Sequence, residues 1–508
     1  MTALVFGGVS LYNTNTHGRT LGLWIPHTST ADYFEPAPVE TRRVVCIDKA
    51  QTTVLRAFQE RQWKIIPLNK NSKDPASHYL HCYQAGNAAI IWTKMIPHHW
   101  NTSFPWQRHN QLPFETDMSK KARTVELLRT YAIQQGRTLS YIPESYVLPQ
   151  DRDVLLKRLT VGHPDMDPAQ QQLRGGGVVM TDSNEPWVVK LSAIDNGVGI
   201  TMMGAGSQEL KLLTSILRHA KQQQQPPVEY MTAIRRQLVL SRRGADDTRK
   251  QSDLDKALNR TEKLHDKIIV QRYVCHEMDY QGRKFDLRVY FLVASVDPVV
   301  VYAHDGYLRV SPHEYNERNF DKTGDHLTNL GRNAQSENNT ISYEQWEVEL
   351  RRLVNESPER FSWSVRRNPL QHIKNQIKSA LADLVAATRQ YAFRGYRHYT
   401  TMQNGFALFG GDFIVDRDLN VWFTEGQDSP GLLHETSMKR KLNDRLLPAT
   451  VEIIEQVLDK QCAGQPLFPM HKTGDFELIY TDDFQYRYEF ERKPLLGPCA
   501  ASIAGGGD

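Results

Sequence analysis

Three charged side chains alternate along one predicted strand near the middle of the chain. Residues 284–293 read K-F-D-L-R-V-Y-F-L-V, which places Lys284, Asp286 and Arg288 on one face and apolar side chains on the other. We expect the apolar face to pack on a core. A polyanion with a metal would account for the charged face, because lysine and arginine bind phosphate oxygens. The alternative is a solvated face whose charges pair with one another.

A second set of candidate residues lies at one end of a predicted β-hairpin. The hairpin spans residues 411–427, and its turn lies at residues 416–420. Glu425 and Gln427 are two residues apart and share a face, while Asp412 begins the opposite strand. Two carboxylates and an amide oxygen at one end of a hairpin would suit Mg²⁺ carried by a nucleotide. A polar hairpin end without a metal is the alternative.

A lysine followed by glycines is the third candidate. Lys190 ends the predicted strand 187–190, and Gly197, Gly199, Gly204 and Gly206 follow it. A glycine-rich loop of this kind can cover phosphates through its backbone N–H groups. Such loops are common in proteins, so this pattern alone is weak.

The remaining candidates are scattered along the strand-rich region. Gln271 and Tyr273 end another predicted strand, whose backbone could pair with the edge of an adenine. Arg309 could bind a carboxylate. Thr328 and Asn329 offer small polar contacts. Taken one at a time, each of these residues also fits an ordinary protein surface.

Length and composition restrict the class of protein. A chain of 508 residues is too long for one compact core and fits two or three domains. Its 62 basic and 58 acidic residues give a net charge of +4, which does not favour nucleic acid as a partner. No apolar run approaches about 20 residues, so we expect no membrane span. With no signal-peptide pattern at the start, the cytoplasm is the predicted location.

The cysteines lack the spacing of a metal site. Cys46, Cys82, Cys275, Cys462 and Cys499 are scattered and form no C-x-x-C pair, which disfavours zinc. A sparse, odd number of cysteines suits a reducing compartment better than a framework of disulfides.

The order of these segments resembles the tubulin–tyrosine-ligase-like family of ATP-grasp ligases. The resemblance runs from about residue 141 to residue 432, and its most specific parts are K-F-D-L-R-V-Y and the run H-L-T-N at residues 326–329. It implies an α/β (α+β) ATP-grasp fold. The implied domains are an N-terminal mixed domain (1–105), a central ATP-grasp domain (106–270), a C-terminal ATP-grasp catalytic domain (271–465) and a tail (466–508). We interpret residues 221–262, which are rich in glutamine and basic residues, as a partly disordered insert.

The resemblance also implies a role for each candidate. Seven residues would bind the nucleotide: Lys190, Gln271, Tyr273, Lys284, Asp286, Thr328 and Asn329. Asp286 would lie near the ribose or the amino-acid substrate. Arg288 would lie near the transferred phosphate, and Arg309 would hold a substrate carboxylate. Magnesium would be bound by Asp412, Glu425 and Gln427.

The implied activity uses ATP and Mg²⁺ to join a free amino acid to a protein carboxylate through an acylphosphate. The implied partner is tubulin or another acidic protein tail, with microtubules or cilia as candidate locations. Tyrosine, glutamate and glycine all remain compatible as the added amino acid. The basic run Lys439, Arg440 and Lys441, together with Arg445 and the cluster at 235–250, could attract an acidic tail.

Three departures from the family pattern keep other functions open. Gln427 replaces the usual asparagine of the metal motif, Leu191 replaces a proline, and Val198 replaces a basic residue of the glycine loop. One alternative is therefore a catalytically weak or inactive member that acts as a tubulin- or protein-binding scaffold. Another is an ATP-grasp ligase that acts on a small molecule or a different protein.

Overall fold

A computed structural model describes most of the chain. The described residues are 37–48, 51–68, 82, 86–93, 104, 106–161, 185–192, 199–239, 267–320, 323–328, 336–395 and 404–492.

The first sheet is small and parallel. It contains β1 (Val44–Asp48), β2 (Lys64–Leu68), β3 (Ile90–Trp92) and β4 (Arg108–His109), in the order β2-β1-β3-β4. The short apolar runs R-V-V-C-I at residues 43–47 and A-A-I-I-W at residues 88–92 coincide with β1 and β3. The sheet packs against the helix Ser437–Cys462 through one apolar cluster that includes Phe58 and Ile454.

The second sheet lies in the middle of the chain. It contains β5 (Ser145–Leu148), β6 (Trp187–Leu191), β7 (Ile200–Met203) and β8 (Ile268–Arg272), in the order β5-β8-β6-β7. All three pairings are antiparallel. One face of this sheet is covered by the helices Arg152–Val161 and Gln208–Gln222 through the buried residues Leu155, Leu213 and Trp187.

The third sheet is the largest. Its strands are β9 (Asp279–Tyr280), β10 (Arg283–Val296), β11 (Val299–Val310), β12 (Thr340–Ile341), β13 (Ala407–Val415), β14 (Val421–Gln427) and β15 (Glu477–Thr481). The central order is β12-β11-β10-β13-β14, with β15 beside β11 and β9 beside β10. The predicted hairpin at residues 411–427 is confirmed as β13 and β14.

The long strand β10 carries Lys284, Asp286 and Arg288 on one face and apolar side chains on the other. Its odd-numbered residues Phe285, Leu287 and Phe291 belong to the core formed with the helix Pro369–Gly395, as the alternation predicts. Past Arg288 the opposite face also becomes apolar, because Tyr290 and Leu292 pack in the core beneath the first sheet. The charges at 284, 286 and 288 therefore occupy only the first half of the strand.

The other helices complete the layers. The described α-helices beyond those named above are Thr52–Glu60, Glu115–Ser119, Lys121–Gln134, Pro227–Ile234, Tyr343–Glu356 and Trp363–Arg367. Short 3₁₀ turns span Val39–Thr41, Thr323–His326, Glu337–Asn339 and Pro358–Arg360, and a π-helix spans Arg235–Val239. Ser342 and Gln345 form a capping box at the start of the helix Tyr343–Glu356.

Three features of the described chain were not expected from the sequence. Residues 227–239, which we assigned to a partly disordered insert, are helical, and they bury Tyr230 and Ile234 against the second sheet. The predicted tail contributes β15, because Ile479 belongs to the main core. Cys46 and Cys82 form a disulfide, whereas the sparse, odd number of cysteines favoured a reducing compartment.

The fold class agrees with the prediction. The described chain is mixed α/β, and the second and third sheets enclose a pocket, as the implied ATP-grasp arrangement requires. None of the helices within the described ranges has the length and apolar character needed to cross a bilayer.

Candidate active site

The pocket lies between the second and third sheets, has a cavity volume of about 120 Å³ and is partly open to solvent. Both sheets contribute charged residues to its wall. Of the predicted site residues, nine line it: Lys190, Gln271, Tyr273, Lys284, Asp286, Arg309, Thr328, Asp412 and Glu425. Arg288 and Gln427 lie just behind, each in contact with one of these. Asn329, Gly197 and Val198 fall outside the described residues.

Two arginines and two aspartates form a buried network on the third sheet. Arg309 donates to Asp286 from Nε (2.7 Å) and Nη2 (2.5 Å), and to Asp412 Oδ2 (2.8 Å). Arg288 donates to the same Asp412 from Nε (2.5 Å) and Nη2 (3.0 Å). The strand register produces these contacts, since Asp286 lies opposite Arg309 and Arg288 lies opposite Asp412.

This network fixes the ionisation of Asp412. Burial alone would raise the pKa of Asp412, but the charges of Arg288 and Arg309 hold it below its usual value. Asp412 is therefore a carboxylate at neutral pH, which a metal ligand must be. Asp412 holds Arg288, and Asp286 and Asp412 together hold Arg309; of the two arginines, Arg309 is the one that lines the pocket.

The hairpin end brings the predicted metal ligands together. Asp412 on β13 lies directly opposite Glu425 on β14, and Gln427 Nε2 donates to Glu425 Oε1 at 2.7 Å. Because the amide nitrogen of Gln427 is used in this way, its carbonyl oxygen is the atom left for a metal. No three His, Cys, Asp or Glu side chains converge on a metal-sized site in the described ranges.

A lysine that the sequence analysis did not identify also holds Glu425. Lys121 Nζ lies 2.8 Å from Glu425 Oε2, and Lys121 is only 6% exposed. It begins the helix Lys121–Gln134, which lies far from Glu425 in the chain. A basic residue is uncommon at the start of a helix, because the helix dipole favours acidic residues there. This position was the one feature of the sequence that could have marked Lys121 as a functional residue.

Lys190 and Gln271 meet on the second sheet. Lys190 Nζ donates to Gln271 Oε1 at 2.8 Å, and Gln271 Nε2 donates to Ser145 Oγ at 2.8 Å. Burial lowers the pKa of Lys190 to about 8, while the nearby Glu425 opposes this shift. A lysine ammonium has three donors, so Lys190 can also bind a phosphate oxygen.

Lys284 lies in an acidic and aromatic environment. Its ammonium forms an ion pair with Glu277 and lies 5.3 Å and 5.4 Å from the ring centroids of Tyr273 and Tyr315. Glu277 was not identified from the sequence. It follows the Q-x-Y strand in an irregular segment, and nothing in its spacing marked it.

A loop after β11 closes this side of the pocket. His326 Nε2 lies 2.8 Å from the carbonyl oxygen of Asn319, which can only accept, so Nε2 carries the proton. The hydroxyl of Tyr273 then donates to His326 Nδ1 (2.9 Å). Next to His326 in the chain, Thr328 Oγ1 donates to Asp286 Oδ2 at 2.7 Å.

The pocket fits a magnesium nucleotide on chemical grounds. Five cationic side chains line it, namely Lys121, Lys190, Arg272, Lys284 and Arg309, against four acidic ones. A buried lysine whose pKa is depressed indicates positive charge that an anion would stabilise. The oxygens of Asp412, Glu425 and Gln427 are of the hard type that Mg²⁺ prefers.

Comparisons with known proteins identify a family and several individual proteins to which the chain is similar. A family model described as "Tubulin-tyrosine ligase family" matches residues 100–463. The chain is similar to the "Inactive polyglycylase TTLL10" of Homo sapiens, with 25% identity over 233 residues, which cover 45% of this chain and 32% of the relative. It is also similar to "Tubulin glycylase 3D" of Tetrahymena thermophila, with 27% identity over 224 residues, which cover 42% of this chain and 20% of the relative.

The matched region is thus a third or less of each of these relatives. Among solved structures, the chain is similar to the C-terminal domain of K. lactis Pby1, described as an ATP-grasp enzyme interacting with the mRNA decapping enzyme Dcp2. That match has a TM-score of 0.48 and 14% identity, and it covers 86% of this chain and 98% of that one.

Proposed function

The chain belongs to the tubulin-tyrosine ligase family, and from this premise we propose that it is an ATP- and Mg²⁺-dependent ligase that joins an amino acid to a protein carboxylate. The observation that carries the proposal is the convergence of the K-F-D-L-R face with the acidic hairpin end in one pocket. These two segments lie more than a hundred residues apart, and their meeting supports the proposal because cations suited to phosphate lie beside oxygens suited to a metal.

The proposed reaction has two displacements. An oxygen of the acceptor carboxylate attacks the γ-phosphorus of ATP, which forms an acylphosphate and releases ADP. The amine of the incoming amino acid then attacks the carbonyl carbon, which forms the amide bond and releases phosphate and a proton. No protein nucleophile is needed, so catalysis rests on positioning and on neutralising charge.

Each residue has a proposed part in these steps. Seven residues are proposed to bind the nucleotide: Lys190, Gln271, Tyr273, Lys284, Asp286, Thr328 and Asn329. Arg288 neutralises charge on the transferred phosphoryl group, and Arg309 directs its remaining donors to a substrate carboxylate. Asp412, Glu425 and Gln427 would hold Mg²⁺, which would neutralise charge on the phosphates.

The proposed acceptor is the acidic tail of tubulin or of a similar protein, and the proposed location is the cytoplasm, at microtubules or cilia. The name of one relative, a tubulin glycylase, supports tubulin as the acceptor and glycine as the added amino acid. Glycine is therefore the first amino acid to test, followed by glutamate and tyrosine.

Phosphate release tests the reaction. The purified chain should release phosphate only when ATP, Mg²⁺, an amino acid and tubulin are all present. Release without tubulin would instead indicate a ligase that acts on a small molecule. Absence of release under every combination would contradict the proposal.

The pKa of Lys190 predicts how ATP affinity depends on pH. Below about pH 8 the lysine is charged in both free and bound states, so binding takes up no proton there. Above that value free Lys190 is neutral, and the phosphates must recharge it. The Kd for ATP should therefore rise as pH increases above about 8, by at most about tenfold per unit.

Calorimetry between about pH 7 and about pH 9, in buffers of different ionisation heat, measures both the affinity and the proton uptake. Lys190→Arg is the matched control, because an arginine stays charged throughout this range. Equal pH dependence in the two proteins would rule out Lys190 as its source.

The basic run Lys439, Arg440 and Lys441 includes one residue that is buried and cannot attract an acidic tail. Lys439 is only 5% exposed; it pairs with Glu435 at 2.8 Å and faces the ring of Tyr307. Arg440 and Lys441 are exposed. Within this run these two remain candidates for attracting an acidic tail, beside the exposed Arg445, which pairs with Asp475.

Arg440→Glu combined with Lys441→Glu should weaken binding of a tubulin-tail peptide by about tenfold at low salt, with a smaller effect at high salt. Arg351→Glu with Arg352→Glu makes the same charge change on another exposed helix and should have little effect. Peptide affinity measured at two salt concentrations checks this. Equal losses of peptide affinity in both double variants would show that the effect comes from the net charge of the protein and not from the position of Arg440 and Lys441.

A scaffold without ligase activity is the second candidate function. Two observations favour it. Gln427 is tied to Glu425 by its own amide group, and a relative in Homo sapiens is named inactive. A chain that binds tubulin but neither binds Mg²⁺–ATP nor releases phosphate would have this second function.

A further inference from the structure

One buried oxygen in the pocket has no partner. Glu277 is fully buried, and its Oε2 forms the ion pair with Lys284. Its other oxygen, Oε1, makes no hydrogen bond within the part of the chain that the structure describes. Leaving a buried acceptor unsatisfied costs free energy, and such groups are rare in folded proteins. A missing partner is therefore to be expected at this atom.

The position of Glu277 shows where that partner must come from. Glu277 lines the cavity between the sheets, beside Tyr273, Lys284 and Thr328. Its Oε1 atom is enclosed, so a molecule bound in the cavity reaches it only when the neighbouring side chains shift on binding. The neighbouring Asp286 is less available as an acceptor, because it already receives three hydrogen bonds, two from Arg309 and one from Thr328.

The chemistry of the partner follows from the charges around Glu277. The Lys284 ammonium already neutralises the carboxylate, so a second cation is not required for charge balance. Burial raises the pKa of Glu277, and Lys284 opposes that shift. A neutral O–H or N–H donor would satisfy Oε1 without adding charge to a buried site.

We propose that Glu277 is a further nucleotide-binding residue, whose Oε1 accepts a hydrogen bond from an O–H or N–H donor of the nucleoside. This inference rests on the proposed function, since it assumes that ATP occupies the cavity. The nucleoside part of ATP has two sources of such donors, the ribose hydroxyls and the 6-amino group of adenine, whereas the ionised triphosphate has none. Acidic side chains contact ribose hydroxyls in other nucleotide sites.

Binding of ATP analogues with Mg²⁺ present tests this assignment. The panel is ATP, 2′-deoxy-ATP, 3′-deoxy-ATP and the triphosphate of purine riboside, which lacks the 6-amino group. For the wild-type chain, the analogue that lacks the donor to Glu277 should bind about tenfold more weakly than ATP. Weaker binding of a deoxy analogue would identify the ribose as the source of the donor. Weaker binding of the purine riboside triphosphate would identify the base.

Glu277→Gln should remove this discrimination while keeping the side-chain volume. The amide oxygen will face the Lys284 ammonium, so the amide nitrogen faces the cavity and cannot accept. ATP and the sensitive analogue should then bind within about twofold of each other. Glu455→Gln is the matched control, because Glu455 is also buried and ion-paired, with Arg61, but lies away from the pocket. It should keep the full discrimination.

The outcomes separate this inference from the proposed function. A wild-type chain that binds ATP but treats all analogues alike would overturn the role of Glu277 only. So would a Glu277→Gln variant that keeps the wild-type discrimination. A folded wild-type chain that binds no triphosphate at all would overturn the proposed function, and this inference with it. If Glu277→Gln does not fold, the wild-type panel still decides.

Discussion

Glu425→Gln is expected to lower the rate of amide-bond formation by about a thousandfold. The substitution keeps the shape of the side chain but removes a negative charge from the hairpin end, where Glu425 lies opposite Asp412. A neutral amide binds Mg²⁺ far more weakly than a carboxylate does, so the phosphates would lose their main counter-charge. It also leaves Lys121 without its carboxylate partner at 2.8 Å.

Phosphate release and product formation at saturating ATP measure this effect. Glu455→Gln removes a buried, ion-paired carboxylate elsewhere in the molecule and should leave the rate nearly unchanged. Circular dichroism should show that both variants are folded. If Glu425→Gln kept a tenth or more of the wild-type rate, Glu425 would not be a metal ligand.

Gly426→Ala is expected to lower the free energy of unfolding by about 3 kcal/mol and to abolish activity. A Cβ atom at this position would lie 2.1 Å from the carbonyl oxygen of Met118. That oxygen belongs to the backbone of the helix Glu115–Ser119, so no side-chain rotation can relieve the overlap. Either the helix or β14 must shift, and β14 carries Glu425 and Gln427.

Gly431→Ala is the control for this prediction. Gly431 lies five residues further along the chain, and an added Cβ would meet nothing within 4 Å. Urea unfolding of the two variants gives the comparison. Stabilities within about 0.5 kcal/mol of each other would mean that the helix can move away at little cost.

Local patterns predicted the parts of the site that lie on single strands. Alternation along β10 placed Lys284, Asp286 and Arg288 on one face because side chains on a strand alternate strictly. Turn residues at 416–420 predicted that Asp412 would lie near Glu425, but their direct pairing depends on a shift of register between Asp412 and Phe413, which the turn does not determine. The family resemblance added roles that local patterns could not.

Contacts between distant segments were not predictable in this way. Nothing in the sequence showed that Arg309 would bridge Asp286 and Asp412, because that depends on the relative register of three strands. Lys121 and Glu277 were missed for the same reason, since each meets its partner only after the sheets have packed. Lys439 was assigned to the surface by its charge, and it is buried because Glu435 and Tyr307 supply partners.

The predicted insert and tail show that amino-acid composition alone does not determine whether a segment packs on the core. Glutamine, proline and basic residues suggested disorder for 221–262, yet Tyr230 and Ile234 give residues 227–234 an apolar side that the second sheet covers. The tail has few aliphatic residues in sequence, but Ile479 adds to a core that already exists. In both cases packing against neighbours outweighs local composition.

Incorporation of a labelled amino acid into purified tubulin tests the central claim most directly. Glycine, glutamate and tyrosine would be supplied separately with ATP and Mg²⁺, and wild type would be compared with Glu425→Gln and Arg309→Ala. The account predicts that wild type attaches one of the three amino acids to tubulin, that incorporation requires ATP and Mg²⁺, and that both variants lose it. Folded wild-type protein that incorporates none of the three and shows no Mg²⁺-dependent ATP binding would contradict the account and favour a scaffold, with Gln427→Asn as the first substitution to try for restoring activity.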